Sequence, residues 1–338
     1  SLIILLLSQY CVSVLVPAYN EENSIESTVK TILDSDYAGI DEVIRINDGS
    51  RDNTLKIAKK LAERYSKIRI LNKKNSGKAD SLNQALKIAK GEIIAVVDAD
   101  SYPDSHAIRT MIGFFDEPKV GAVTTRILLK QRNNFLRKMQ AIEYKVIAFT
   151  RKLLDSVDSI YVTPGPLALY RKTALLKIKG FDTKNMTEDI EATWHLIKAG
   201  YDIRMSYVAK STTVAPDTFK KWIKQRIRWN IGGWQTIMKY KKYFFRKGML
   251  GHFILPLFSI SLVIGVVGLG IFFYRALRKI LFSYLSTKYS LAAQTAIFAL
   301  EDINLNPSIL NFLGIILFVI GLLFVLFSLK HVNRQIKE

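Results

Sequence analysis

Two stretches of this chain carry no charge at all. Gly251 to Tyr274 runs 24 residues without Asp, Glu, Lys or Arg, and Ile309 to Leu329 runs 21. At about 1.5 Å of rise per helical residue, each is long enough to cross a hydrocarbon core of roughly 30 Å. Buried helices of soluble proteins are seldom so long and so uninterrupted. The pattern therefore predicts membrane spans at about 251–274 and 309–329, within a C-terminal transmembrane region of residues 251–338. Residues 281–300 lie between them, apolar on average but carrying Lys288. They read equally as an interfacial helix and as part of a third span. Leu2 to Leu7 is apolar and too short to span, so residues 1–10 read as the end of a membrane segment that begins upstream.

Charge divides the chain in the same place. Residues 1–250 hold 42 Lys/Arg against 26 Asp/Glu, and residues 251–338 hold 7 against 3. Basic residues beside a span mark its cytoplasmic side. A multi-pass protein of the cell membrane is expected, with residues 1–250 and the end carrying Lys330, Arg334 and Lys337 both cytoplasmic. Arg275, Arg278 and Lys279 disagree with a simple hairpin, which would put them outside. Across all 338 residues the net charge is +20 and 49% are hydrophobic, which excludes an intrinsically disordered chain. One cysteine, Cys11, excludes a disulfide framework and any cysteine metal cluster.

The soluble part has a rhythm of its own. Short β-branched or apolar runs at 12–17, 43–47, 68–71 and 93–97 alternate with helical patterns at about 21–35, 52–65 and 79–90. Such alternation predicts an α/β fold with a mostly parallel, Rossmann-like sheet and flanking helices. Sheets of this kind bind ligands at the carboxyl ends of their strands. The residues to inspect there are Tyr19-Asn20-Glu21, Asp48-Gly49-Ser50 and Asp98-Ala99-Asp100.

Asp98 and Asp100 leave a buried strand as two carboxylates two residues apart. They repel one another unless a cation lies between them, and hard oxygen ligands suit Mg²⁺ or Mn²⁺; the same pattern also occurs in solvated turns. Asn75-Ser76-Gly77-Lys78 opens a helix and offers an anion free amides and a point charge, although an ordinary turn has the same composition. Thr187-Glu188-Asp189 begins another helix, where acids commonly serve as caps. Downstream, Gln225, Arg228 and Trp229 stand at i, i+3 and i+4, so an amide, a guanidinium and an indole share one helix face.

Residues 220–247 hold ten Lys/Arg and no acid, interleaved with aromatic side chains. Basic and aromatic residues together can serve nucleic acid. Four residues before an apolar span, they fit an amphipathic segment on anionic lipid headgroups better, so 217–250 reads as interfacial and no nucleic-acid partner is expected. Phe135 to Val157 has the same character, and a purely structural amphipathic helix accounts for it equally.

In order along the chain, Pro17-Ala18-Tyr19-Asn20-Glu21, Asn47-Asp48-Gly49-Ser50, Gly77-Lys78-Ala79, Asp98-Ala99-Asp100, Pro164-Gly165-Pro166, Thr187-Glu188-Asp189 and Gln225-Arg226-Ile227-Arg228-Trp229 together resemble the inverting family-2 glycosyltransferases. The resemblance is closest to their membrane-embedded branch, which includes cellulose, chitin, hyaluronan and poly-N-acetylglucosamine synthases. It covers about Val12 to Trp234. It implies a GT-A fold over residues 11–216, a nucleotide-diphosphate sugar donor, usually a UDP-sugar, and a divalent metal, Mg²⁺ or Mn²⁺, at Asp98 and Asp100.

By the same resemblance Pro17, Tyr19, Glu21, Asp48, Lys78, Asp98, Gln225 and Arg228 contact the nucleotide. Asp189, with Glu188 beside it, removes the acceptor proton, and Trp229, Gly165 and Pro166 meet the acceptor. One position departs from many relatives: the first of two acids before Gly-Ser is Asn47, which leaves the identity of the base open. The implied product is a polysaccharide extended at the cytoplasmic membrane face. Two alternatives stand beside it, the same chemistry on a lipid acceptor and a non-catalytic binder of anionic lipid or nucleic acid. A polysaccharide pore needs more spans than two, supplied by residues 281–300 and the N-terminal segment or by a homo-oligomer.

Overall fold

The computed structural model describes residues 10–293 and 309–334. The expectation for residues 1–10 falls, except for Tyr10, outside them, as does that for 294–300. The first half follows the alternation read from sequence: β1 (Val12–Ala18), α1 (Ile25–Leu33), β2 (Ile40–Asp48), α2 (Thr54–Arg64), β3 (Ile68–Lys73), α3 (Lys78–Ile88) and β4 (Ile93–Val96). Every residue of β1 is buried. A strand covered by helices on both faces has no polar side, and each fully buried Val or Leu contributes roughly 1.5–3 kcal/mol. Val14, Val16, Val29 and Ile32 build the core on one face, and Leu15, Ile44, Leu82 and Leu86 that on the other.

The second half is less regular. It comprises β5 (Ser101–Pro103), α4 (Ala107–Ile112), β6 (Val120–Leu129), α5 (Phe135–Asp155), β7 (Ala168–Arg171), α6 (Lys172–Lys177), α7 (Glu188–Lys198), β8 (Asp202–Thr213) and α8 (Phe219–Tyr240). The strands form one sheet in the order β3-β2-β1-β4-β7-β6-β8-β5. The run β3-β2-β1-β4 is parallel, whereas β7 is antiparallel to both β4 and β6, and β5 is antiparallel to β8. Since β6 and β8 are also parallel, the sheet is mixed, with four of its seven pairings parallel and the antiparallel ones all in the second half. Regular alternation breaks at β4, which β5 follows with no helix between, and the later strands pair across long separations that local periodicity does not report.

Residues up to Pro256 form one compact unit, and residues from Leu257 onward form a second. In the second, α9 (Leu255–Ala293) continues as a single helix through Arg275, Arg278 and Lys279, and α10 (Ile309–Arg334) is also helical. Among the described residues one helix, Leu250–Ala292, is long and apolar enough to cross a membrane. The separate segment expected at 281–300 is, as far as Ala293, an extension of that helix.

Candidate active site

At the end of β2 the Asp48 carboxylate is already enclosed. Lys73 Nζ lies 2.5 Å from Oδ1, the Ser76 amide donates to Oδ1 at 2.9 Å, and the Gly77 amide donates to Oδ2 at 2.9 Å. Burial alone would raise the Asp48 pKa, but the bonds from Lys73 and the two amides outweigh it and hold it below the usual aspartate range. The Asn75–Lys78 turn therefore does present amides to an anion, and that anion is the protein's own. Beside it, the Asn47 side chain donates to Asn72 Oδ1 at 2.7 Å, while its own Oδ1 is buried without a partner.

The end of β4 is arranged differently. Lys78 Nζ bridges Asp98 Oδ1 at 2.6 Å and Glu188 Oε1 at 2.9 Å, so residues far apart in sequence meet on one ammonium. Burial disfavours that charge, but Asp98, Glu188 and Asp189 together raise the Lys78 pKa well above its ordinary value. The Asp98 amide donates to the Gly165 carbonyl at 3.0 Å. A side chain at 165 would displace the ion pair, since its Cβ would fall 2.5 Å from Asp98 Oδ1 and 2.6 Å from Lys78 Nζ. Asp100 makes no ion pair among the described residues, and the hydrogen bond from Ser101 and the charge of Lys78 compensate it only weakly. Burial, then the charges of Asp98 and Glu21, push it up to about 7. Glu21 is itself raised by burial, with the charges of Asp98 and Asp52 adding to it, and its carboxylate accepts from Ser24 Oγ at 2.7 Å. Pro17 lies within β1 opposite Ile46, and Tyr19 is exposed.

Thr187 precedes α7 but does not cap it, since its hydroxyl donates to Asn185 Oδ1 at 3.1 Å. Asp189 is pushed up to about 6 by burial and by the neighbouring Glu188 charge. Burial raises Glu188 too, but Lys78 and, more weakly, Arg228 outweigh this and lower it. Asp98 acts electrostatically on both Asp100 and Asp189, so the two acid clusters and Arg228 share one field.

The start of α7 is held by α8. Gly232 packs on Thr187 so closely that a Cβ would meet its Cγ2 at 2.6 Å. Asn185 Nδ2 donates to Thr236, the Met186 amide donates to Gln235, and Lys239 bridges Asp182 and the buried Glu191 at 2.6 Å each. Tyr240 also donates to Glu191, at 2.8 Å.

On α8 the expected face is present. Arg228 is exposed and makes no ion pair among the described residues, Trp229 is half-buried, and the Gln225 side-chain oxygen is buried without a hydrogen-bond partner. Arg226, given no role by the sequence reading, reaches Glu143 on α5 at 2.6 Å and lies 4.3 Å from the centre of the Trp229 ring. Two other α5 residues enter the same region. Tyr144 is pushed up to about 12 by burial, and the buried Arg151 feels the charge of Asp189.

The structure thus brings Lys78, Asp98, Asp100, Gly165, Glu188 and Asp189 together, with Arg228 acting on Glu188 through its charge, and it pairs Asp48 internally. Sequence reasoning missed Lys73, Glu143, Arg226 and Gly232. For Gly232 there was a signal, because two consecutive glycines inside a helix are unfavourable unless something approaches closely.

The family model described as Glycosyltransferase like family 2 matches residues 9–232. A poly-beta-1,6-N-acetyl-D-glucosamine synthase of Staphylococcus aureus is 34% identical over 230 residues, covering 68% of this chain and 56% of that protein. The enzyme of the same description from Staphylococcus epidermidis is 33% identical over 230 residues, with the same coverage. The chain therefore spans little more than half the length of these curated relatives. Among solved structures, a mannosyltransferase from Pyrobaculum calidifontis in complex with GDP-Man and Mn²⁺ superposes with a TM-score of 0.54 at 22% identity, covering 78% of this chain and 75% of that one. That likeness shows the fold, a GT-A-like mixed sheet with flanking helices.

Proposed function

The chain belongs to the family described as Glycosyltransferase like family 2, and on that premise we propose that it is a membrane-bound inverting glycosyltransferase. It moves a sugar from a nucleotide-diphosphate donor to a growing polysaccharide at the cytoplasmic membrane face. The observation that supports this reading is the Lys78 bridge, which joins Asp98 after β4 to Glu188 at the start of α7, beside the candidate base Asp189. The names of the curated relatives point to N-acetylglucosamine as the transferred sugar.

Asp189 accepts the proton of the acceptor hydroxyl as the new glycosidic bond forms, a task suited to a carboxylate whose pKa has been raised to about 6. The bond between the anomeric carbon and the diphosphate oxygen breaks on the opposite side, which inverts that centre. Arg228 and Lys78 stabilise negative charge as it gathers on the leaving diphosphate. Asp98 and Asp100 are the residues that would hold a divalent ion. Asp100, buried and crowded by like charges, fits that role. Among the described residues no three His, Cys, Asp or Glu side chains converge to enclose an ion, so substrate phosphates would have to complete its shell. When bound, the ion neutralises developing phosphate charge.

Membrane attachment is part of the same proposal, with spans at about 251–274 and 309–329 and residues 217–250 on the headgroups. Supporting it, Phe219, Ile223, Ile227, Ile231, Trp234 and Met238 form an exposed apolar stripe on α8.

Purified full-length chain in detergent, incubated with labelled UDP-N-acetylglucosamine, should yield a high-molecular-weight, glycosidase-sensitive product. A chloroform-soluble product would mean a lipid acceptor instead, and undiminished transfer after chelation would exclude the metal. Asp189→Asn should lower turnover about 10³-fold with donor affinity nearly unchanged. A variant that still turns over normally would end the assignment of the base.

A further inference from the structure

Trp229 can serve as a platform for a sugar only if its ring is held still. Its neighbours show how that is done. Arg226 precedes it by three residues on α8 and lays its guanidinium over the Trp229 ring at 4.3 Å, with Trp222 on another side at 5.5 Å. A long arginine side chain does not stay in such a place unaided, because its rotamers are many. Here Glu143, 83 residues earlier and on α5, fixes it: Oε2 accepts from Arg226 Nη2 at 2.6 Å. Arg226 is largely buried, and its Nε is buried without an acceptor. It therefore has little freedom to turn towards a diphosphate, in contrast with the exposed Arg228 two residues on.

We propose that Arg226 and Glu143 are positioning residues for the acceptor, a clamp by which α5 sets the orientation of the Trp229 ring. This rests on the glycosyltransferase reading above. The guanidinium covers one face of the indole by cation–π attraction, so the ring is offered to a pyranose from the remaining side only. Sequence spacing places Arg226 and Trp229 on one helix face, but only the pairing with α5 makes the arrangement rigid.

The test is a split between the two substrates, measured on the full chain with UDP-N-acetylglucosamine as donor and a short soluble N-acetylglucosamine oligomer as acceptor. Glu143→Gln removes the charge that anchors Arg226, and Arg226→Lys keeps the charge but loses the flat stack. Each should raise the acceptor KM about five- to tenfold with the donor KM within about twofold, and the double variant should be no worse than the poorer single one. An unchanged donor KM also reports that the variants fold. If Trp229→Ala raises the acceptor KM and these two variants do not, the clamp is wrong. If the donor KM rises in step, the pair belongs to the donor site and the proposal fails. If Trp229→Ala itself leaves the acceptor KM unchanged, the platform reading beneath the proposal fails first.

Discussion

The ends of β2 and β4 each present an aspartate at the same edge of the sheet, and they have opposite characters. Asp48 is saturated by a buried lysine and two backbone amides, and its pKa is lowered. Asp100 lies among Asp98 and Glu21 and forms no ion pair among the described residues; burial and those two charges outweigh the weaker pull of Ser101 and Lys78, and its pKa rises to about 7. A carboxylate whose partners are all internal does structural work even without substrate. One left short of counter-charge in a partly open cleft is a candidate place for a charge from outside. Sequence alone, which shows an acid after each strand, does not tell the two apart.

The contrast is most easily broken by neutralising each acid in turn. Asp100→Asn should cut turnover about 10³-fold, the scale of losing one strong electrostatic contact in a transition state, without lowering thermal stability, since it removes a crowded charge. Asp48→Asn should instead cost about 1–3 kcal/mol of stability, because it leaves the largely buried Lys73 with Asp80, at 3.2 Å, as its remaining carboxylate partner. Thermal unfolding of both variants in detergent decides the matter, and equal losses would erase the distinction. The sign of the Asp48 effect with pH is fixed. A lowered carboxyl pKa stabilises above the unfolded value of about 3.9 and loses that contribution as pH falls through the folded one, so wild type and variant should converge in acid.

A smaller effect is expected at Gly165, where a methyl group would press on Asp98 and Lys78. Gly165→Ala should lower turnover about 100-fold, as a displacement of roughly 1 Å in a reacting array does. Gly113→Ala, with nothing within 4 Å of the new Cβ, is the control and should be active. Smallest is a shift in pH dependence. Transfer should fall about tenfold per unit below the Asp189 pKa of about 6, because a protonated carboxyl accepts no proton. Glu188→Gln removes a negative neighbour that raises Asp189, so the acid limb should move to lower pH. A limb that stays in place would mean that another group governs it.

The parallel half of the fold was legible because its information is local. β1 to β4 and α1 to α3 announce themselves through apolar runs of strand length and amphipathic repeats between turns, and each begins within a few residues of its expected position. The polar residues just past those strands were legible for the same reason. Nothing local says that β7 runs antiparallel between β4 and β6, or that the Pro164–Pro166 turn lies against Asp98. Lys73 reads as an ordinary surface lysine at the end of a strand, and only folding brings its ammonium to Asp48. Arg226 was overlooked between two residues that the spacing favoured, since its partner lies on a helix 83 residues away.

The Lys78 bridge has one more consequence. Before any donor arrives, Asp98 and Glu188 already share an ammonium, so the cleft is never a bare acidic hole. On the proposed function, a metal–diphosphate entering the cleft would meet groups that are already paired rather than bare charges. The same ammonium ties the carboxylate just past β4 to the first turn of α7, so a change at one is felt at the other.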